Sequence, residues 1–372
     1  MKSYAGLFEK IISPDNLHKA FRKAILGKRK KSSALKFQEN FVSNIMELHR
    51  QLLSGEWRSG EYNEFYSRTE TKLRLIQAPS FIDRIVHHAI MNICLPIFEK
   101  SLISTTFACI KGRGNHRAVL KVKEHAGAYS ENDYVLQIDI HKFFPSVDKN
   151  ILFRNLSKLF REKELLNLFK ELIFPSECKR HIIGLPIGSL TSQVFANFYL
   201  TPLDHYIKED LHIKHYVRYM DDLILFFKDK YTAWDTLDKI GKYLQTNLNL
   251  ELNPNSRVYK LKQGIDFAGY RTFKKYILPR KRNLKNALNR FKKFKLDITD
   301  THIRRKLSTL KQQVSSFLSY IVRSTFNYFN SIIKTVLKPI LNIKEVNRLY
   351  EIFKIRWRSI SYNSLSGDSY LC

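Results

Sequence analysis

The chain has 372 residues, 44% of them hydrophobic, with 64 Lys and Arg against 34 Asp and Glu, a formal net charge of +30. That length can fill two or three cores, and so large a positive excess implies a polyanionic partner, most simply nucleic acid. Cys94, Cys109, Cys178 and Cys372 are too scattered for a zinc or disulfide framework. No apolar run reaches the roughly 20 residues a spanning helix needs and no secretory signal opens the chain, so a soluble, intracellular, nucleic-acid-binding protein is expected.

Residues 1–60 read as basic and helical, with Lys28-Arg29-Lys30-Lys31 in a solvated stretch and apolar residues at helical spacing from Leu35 to Leu53. Tyr62 to Pro79 alternates, and Leu73–Ile76 reads as a strand carrying Lys72 and Arg74. Ser80 is a natural N-cap for a helix through about Leu95, with Pro96 as its stop. His87 and His88, adjacent in that helix, point in different directions and lack partners for a metal role. Lys111-Gly112-Arg113-Gly114-Asn115-His116 is a basic glycine loop ahead of another helix. Its spacing is not that of a P-loop, and it suits a contact with a polyanion backbone.

Val135–Asp139 alternates as a buried strand and ends on an acid. An acid there is costly unless it is paired or holds a metal. Phe143-Phe144-Pro145 follows, then a helix to about Phe160. Gly184–Gln193 is a turn-rich loop feeding an apolar helix that ends near Asp204; Gly188 lets a ligand approach the backbone. Val217-Arg218-Tyr219-Met220-Asp221-Asp222 and the apolar run to Phe227 read as strand, tight turn, strand, with two adjacent carboxylates at the turn. Two such charges repel by about 4 kcal/mol at an effective dielectric near 20, which a hard divalent cation would relieve. Tyr231–Asn249 reads as a helix, Asn253–Arg257 as a turn, and Val258-Tyr259 with Ile265–Tyr270 as two more short strands. From Pro279 the chain turns helical and basic, with Arg280-Lys281-Arg282 and Arg304-Arg305-Lys306 beside aromatics such as Phe317, Tyr320 and Trp357.

Asp139 and Asp221 stand about eighty residues apart, each at a strand end. If those strands are sheet neighbours, their carboxylates converge with Asp222. Three carboxylates at one spot are what two-metal phosphoryl transfer needs: one ion for the attacking 3′-hydroxyl, one for the leaving pyrophosphate.

From about Leu35 to Tyr320 the chain resembles reverse transcriptases. Tyr219-Met220-Asp221-Asp222, the strand acid followed by Phe143-Phe144, and the Phe267-Ala268-Gly269-Tyr270 hairpin match in order. The resemblance implies an α+β, right-hand polymerase fold: a basic helical extension over 1–60, fingers over 61–130, a palm with an antiparallel sheet over 131–275 (finger insertion around 150–183), and an α-helical thumb with a C-terminal extension over 276–372. It further implies that Asp139, Asp221 and Asp222 are catalytic and, with Ile140, hold two Mg²⁺ ions, for which Mn²⁺ can substitute. Lys72, Arg74, Phe144, Ile187, Gly188 and Gln193 would surround the incoming dNTP, Phe144 crowding the sugar 2′ position. Phe267–Tyr270 would be the primer grip, and Lys111, Arg113, Arg280, Lys281 and Arg282 would follow the nucleic-acid backbone.

The pattern Ile187-Gly188-x-x-x-Ser192-Gln193, where most reverse transcriptases carry Gln-Gly, is similar to the enzymes of diversity-generating retroelements, which copy template RNA with errors opposite adenine. Ser256, followed by Arg257, stands where a lysine is common, so the sequence assigns no general acid for pyrophosphate there. A template RNA, an RNA–DNA duplex and either a small basic accessory protein or a structured noncoding RNA are the implied partners, in a prokaryotic or phage-encoded, cytoplasmic setting with no membrane. Two other readings stay open. One is a prokaryotic antiviral-defence reverse transcriptase with its own noncoding RNA; the other is an RNA-binding splicing or packaging factor with an inactive polymerase.

Overall fold

Hydroxyl and carboxylate caps start several of the helices where the sequence turns from polar to periodic. In the computed structural model, which describes residues 3–69, 72–175 and 182–292, the Ser13 Oγ accepts the Asn16 N–H at 3.3 Å ahead of Pro14, and the Ser80 Oγ accepts the Asp83 N–H at 3.1 Å. The elements in chain order are α1 (Phe8–Ile12), α2 (Pro14–Ala24), α3 (Ser32–Glu39), α4 (Phe41–Leu53), β1 (Asn63–Thr69), β2 (Lys72–Ala78), α5 (Phe81–Ser101) and α6 (Asn115–Gly127). Then follow β3 (Tyr134–Asp139), α7 (Phe143–Ser146), α8 (Lys149–Leu159), α9 (Lys163–Ile173), α10 (Leu190–Tyr199), α11 (Thr201–His205), β4 (Tyr216–Tyr219), β5 (Asp222–Phe227) and α12 (Lys230–Leu248). The described chain ends with β6 (Arg257–Lys260), β7 (Ile265–Phe267), β8 (Tyr270–Thr272), β9 (Ile277–Pro279) and α13 (Lys281–Lys292). Helices and antiparallel strand pairs in separate runs make this an α+β protein.

The chain divides into two compact units. The first comprises Met1–Ile110, Leu136–Leu225 and Tyr231–Val258. Its spine is α5, which packs along α2 and α10. At the lower end of α5 the Phe98 ring meets Phe198 at 5.2 Å and Phe160 at 5.3 Å, and Phe169 and Phe195 complete the cluster. Each fully buried aromatic of this kind contributes about 1.5–3 kcal/mol relative to an exposed one.

That cluster corrects the expected stop at Pro96. The helix runs through the proline to Ser101, because burying Ile97 and Phe98 outweighs the one backbone hydrogen bond that proline removes. The apolar-run expectation is corrected as well. By length and composition α5 could cross a bilayer, but over half of its apolar window is buried inside the protein. The periodic stretch from Leu35 to Leu53 is two helices, broken where Asn40 leaves helical backbone (φ −117°, ψ 47°).

The β1–β2 hairpin is a two-stranded antiparallel sheet pairing Asn63 with Ala78 and Ser67 with Arg74. A four-stranded sheet carries the order β4-β5-β3-β6. Strands β4 and β5 are antiparallel, Tyr216 facing Leu225 and Tyr219 facing Asp222, so a two-residue loop, Met220-Asp221, joins them.

The second unit comprises Lys111–Val135, Phe226–Lys230 and the chain from Tyr259 on. Here β7, β8 and β9 form an antiparallel meander, with α6 against β8. The run Ile265–Tyr270, a short strand by its local pattern, folds as the hairpin that the resemblance implied. Ala268 (φ 47°) and Gly269 (φ 91°) both lie in the left-handed region, the requirement of a primed two-residue turn, and Phe267 pairs with Tyr270. Of the basic C-terminal helices, α13 is described. Arg304–Lys306, Phe317, Tyr320, Trp357, Cys178 and Cys372 lie outside the described residues.

Candidate active site

The site is built on the ends of β3, β4 and β5. The Tyr129 hydroxyl, ahead of β3, donates to the Phe226 carbonyl near the end of β5 at 3.2 Å. The start of β3 therefore lies beside the end of β5, its neighbour in the sheet. Asp139, at the far end of β3, accordingly falls at the end of the sheet where β5 begins with Asp222. Asp139 on β3, Asp221 in the turn and Asp222 on β5 are each half-buried, with the rest of β5 and three of the six β3 residues buried.

The turn carrying the paired acids is held from below. Met220 is in the left-handed region (φ 57°), a conformation that costs a non-glycine residue about 1–3 kcal/mol. Its carbonyl accepts from Arg218 Nη1 at 3.1 Å. Arg218 is fully buried, and all five of its N–H groups are used. Nε and Nη2 form a fork on Asp204 (2.7 and 2.5 Å), Nη1 also reaches Asn197 Oδ1 at 2.8 Å, and Nη2 reaches the Asn197 carbonyl at 3.2 Å. Asp204 in turn accepts from the Tyr216 hydroxyl (2.7 Å) and from Thr106 (3.2 Å). Burial, together with the Asp204 charge, pushes the Tyr216 hydroxyl well above its usual range and keeps it a donor. Sequence reasoning missed this network. Its signal was present: an arginine inside an otherwise apolar strand, with an acid at the end of the preceding helix.

The end of β3 is tied by the loop after α12. The Asn253 N–H donates to the Asp139 carbonyl at 2.8 Å, and Asn253 Nδ2 donates to Asp139 Oδ2 at 2.7 Å. Ser256 Oγ accepts the Asp139 N–H and donates to the Asp139 carbonyl, both at 3.3 Å. The position where a lysine was looked for thus fastens the strand end. Ile140 is buried and bridges to Leu252.

Phe144 is half-buried beside Phe143, ring centroids 5.7 Å apart, and its carbonyl accepts the Leu185 N–H at 2.9 Å. The Ile187 carbonyl accepts the Gln77 N–H at 2.7 Å, which latches β2 to the Gly188 loop. Gly188 has φ 126°, and a Cβ there would meet Ile76 Cγ2 at 2.9 Å and the Gln77 carbonyl at 3.1 Å. Under the latch the Ser189 Oγ caps α10 by accepting the Ser192 N–H. The buried His87 joins this layer through Nδ1 to Thr191 Oγ1 at 2.6 Å. Burial, with the charges of His88 and Arg84, pushes His87 down to about 3, so it is neutral and structural. Gln193 is exposed and accepts from the Cys109 thiol at 3.8 Å. Arg74 is exposed on β2, and Lys72 pairs with Thr69 at the hairpin end.

The remaining expected residues fall in the second unit. The Phe267–Tyr270 turn is fixed by the Tyr270 hydroxyl against His116 Nδ1 (2.9 Å) and by the Arg280 N–H on the Gly269 carbonyl (3.1 Å). Arg280 Nε donates to Asp266 Oδ1 at 2.6 Å, so its guanidinium is engaged within the fold. Lys281 and Arg282 open α13 exposed, Lys111 is exposed, and Arg113 is half-buried.

Among the described residues no three His, Cys, Asp or Glu side chains are gathered into a metal cage. An all-oxygen set at one sheet end still fits a hard divalent ion. Mg²⁺ commonly takes one or two carboxylates and completes its shell with water and substrate phosphate.

The family model described as "Reverse transcriptase (RNA-dependent DNA polymerase)" matches residues 66–272, a span containing every expected site residue except Arg280–Arg282. Similar proteins include the retron Ec73 reverse transcriptase of Escherichia coli, 30% identical over 168 residues, which cover 41% of this chain and 49% of that one. Protein YkfC of Escherichia coli K12 is 21% identical over 279 residues, covering 64% of this chain and 73% of that one. The chain thus spans about half the length of the retron enzyme. A solved telomerase of Candida albicans aligns with TM-score 0.49 at 10% identity, over 87% of this chain and 65% of that one.

Proposed function

The chain belongs to the reverse transcriptase family, and from that premise we propose that it is an RNA-directed DNA polymerase that copies a structured template RNA by nucleotidyl transfer. The observation that carries the reading is the family's paired acids on a clamped β4–β5 turn, with Asp139 at the same end of the sheet. Asp139, Asp221 and Asp222 would hold divalent metal, Mg²⁺ or Mn²⁺, with Ile140 beside them. When bound, the metal supplies charge stabilisation at the attacking and leaving oxygens. The chain's own residues do the positioning. Phe144 walls the nucleotide sugar, the Ile187–Gly188 loop backs the nascent pair, and β2 presents Arg74 and Lys72 to the triphosphate. We assign β1–β2 to the fingers, the four-stranded sheet to the palm, and the basic segment from α13 onward to the thumb. Lys111, Arg113, Lys281 and Arg282 supply backbone charge, and affinity for the duplex falls steeply with salt.

The finer assignment is to the diversity-generating type, error-prone at template adenines, and rests on Ile187-Gly188 followed by Ser192-Gln193. An aliphatic side chain where an amide could hydrogen-bond near the nascent pair loosens geometric checking there. A second reading, an antiviral-defence enzyme working with its own noncoding RNA, is favoured by the retron reverse transcriptase among the similar proteins. The test is extension of a DNA primer on an RNA template, with Asp221→Asn as control and the cDNA sequenced. Extension that is lost in Asp221→Asn, with errors concentrated opposite adenine and reduced in Ile187→Gln, is the expected result. Accurate extension shifts the assignment to the second reading. No extension, even with the cognate RNA, overturns the polymerase and leaves an RNA-binding factor.

A further inference from the structure

The loop that ties β3 does more to Asp139 than hold its backbone. Asn253 Oδ1 accepts the Asn255 N–H at 3.0 Å, an Asx turn, while its Nδ2 donates to Asp139 Oδ2 at 2.7 Å. These two bonds fix which way the amide faces. Turned over, it would set its oxygen against a carboxylate oxygen and its NH₂ against an N–H, losing both bonds. The turn alone requires only an acceptor at position 253, which serine or aspartate would supply. Reaching Asp139 requires a donor as well, and asparagine provides both on one planar group. With Oδ2 held, rotation of the Asp139 carboxylate is stopped, and with it the direction in which Oδ1 is presented. The two Ser256 bonds act on the Asp139 backbone and leave its side-chain torsions free.

We propose that Asn253 is a positioning residue that sets the orientation of the Asp139 carboxylate for a divalent cation. This rests on the reading of Asp139 as a metal-binding carboxylate. Side chains that hydrogen-bond to a metal-ligating carboxylate typically change metal affinity by about 10–100-fold when removed. Asn253 sits half-exposed in a loop, so its replacement leaves the core intact. Asn253→Ser keeps an acceptor for the turn but is too short to reach Asp139. Ser256→Ala loosens the strand end and leaves the amide in place.

The experiment is a Mn²⁺ titration followed by water-proton relaxation. It uses the full chain with an RNA template, a chain-terminated DNA primer and the matching dNTP, and melting temperatures are recorded for every variant. Asn253→Ser is expected to weaken Mn²⁺ binding about tenfold or more, and Ser256→Ala to leave it near the wild-type value, both with melting temperatures close to wild type. Asp139→Asn serves as the reference for loss of the carboxylate. Mn²⁺ affinity unchanged in Asn253→Ser but lost in Asp139→Asn overturns the proposal. Equal weakening in Asn253→Ser and Ser256→Ala also overturns it, because loop rigidity rather than the amide would then be responsible. If Asp139→Asn itself binds Mn²⁺ normally, the metal role of Asp139 fails and this inference falls with it.

Discussion

Two antiparallel hairpins in the first unit are built from similar sequence, apolar and β-prone with basic residues interleaved, yet they are held in opposite ways. In β4–β5 nearly every residue is buried, and the turn is clamped by Arg218, an ion whose five donors all end on the protein. In β1–β2 most apolar side chains are exposed, Tyr66 by 69% and Leu73 by 62%. Apart from its own ladder, that hairpin is latched to the Gly188 loop by the Gln77–Ile187 bond. The difference separates two tasks. Carboxylates that must repel each other at a fixed spacing need a turn that cannot relax, so the protein spends a buried ion pair beneath it. Under the proposed function β1–β2 would meet a changing template and nucleotide, for which its exposed apolar faces would offer π and aliphatic contact to bases.

Breaking the clamp should have the largest effect. Arg218→Met leaves Asp204 charged and buried without its partner, and loss of one member of a buried pair costs about 3–5 kcal/mol. Urea unfolding should show that loss, and Arg218→Lys, which keeps the charge but not the fork, should fall between the two. A stability equal to wild type in Arg218→Met would mean that the clamp is not what holds the hairpin.

The latch should respond less. Gly188→Ala places a Cβ 2.9 Å from Ile76 Cγ2 at a φ of 126°, a strain of about 1–3 kcal/mol. It acts between β2 and the loop, so its main readout is the KM for dNTP in primer extension, which should rise. An unchanged KM would detach the latch from nucleotide handling. On the exposed hairpin, Leu73→Ser should change stability by less than about 0.5 kcal/mol, as surface substitutions do, while weakening binding to a template–primer. A large stability loss there would show that the two hairpins are alike after all.

Much of the site was legible in the chain itself. The acids at strand ends and the Gly188 loop before α10 carry local signals: a charge breaking an apolar alternation, and small residues before a periodic run. Pro96 misled because a local rule was overruled by distant packing of Phe98 onto Phe160 and Phe198. Nothing local announced the Arg280 Nε bond to Asp266, fourteen residues earlier and across the Phe267–Tyr270 turn.

The sequence by itself determined the elements that periodicity and capping control, the family motifs, and a charge that demands a polyanion. Only the tertiary structure decided that Arg218 lies under the Met220-Asp221 turn, that Asn253 and Ser256 hold Asp139, and that one hairpin is buried while the other stands exposed. The physical reason is separation along the chain. Periodicity, turns and caps are set by neighbours within a few residues, whereas Asp139 meets its amide partner 114 positions away. Such a contact is chosen by the packing of the whole unit and leaves no repeat or spacing in the sequence to announce it.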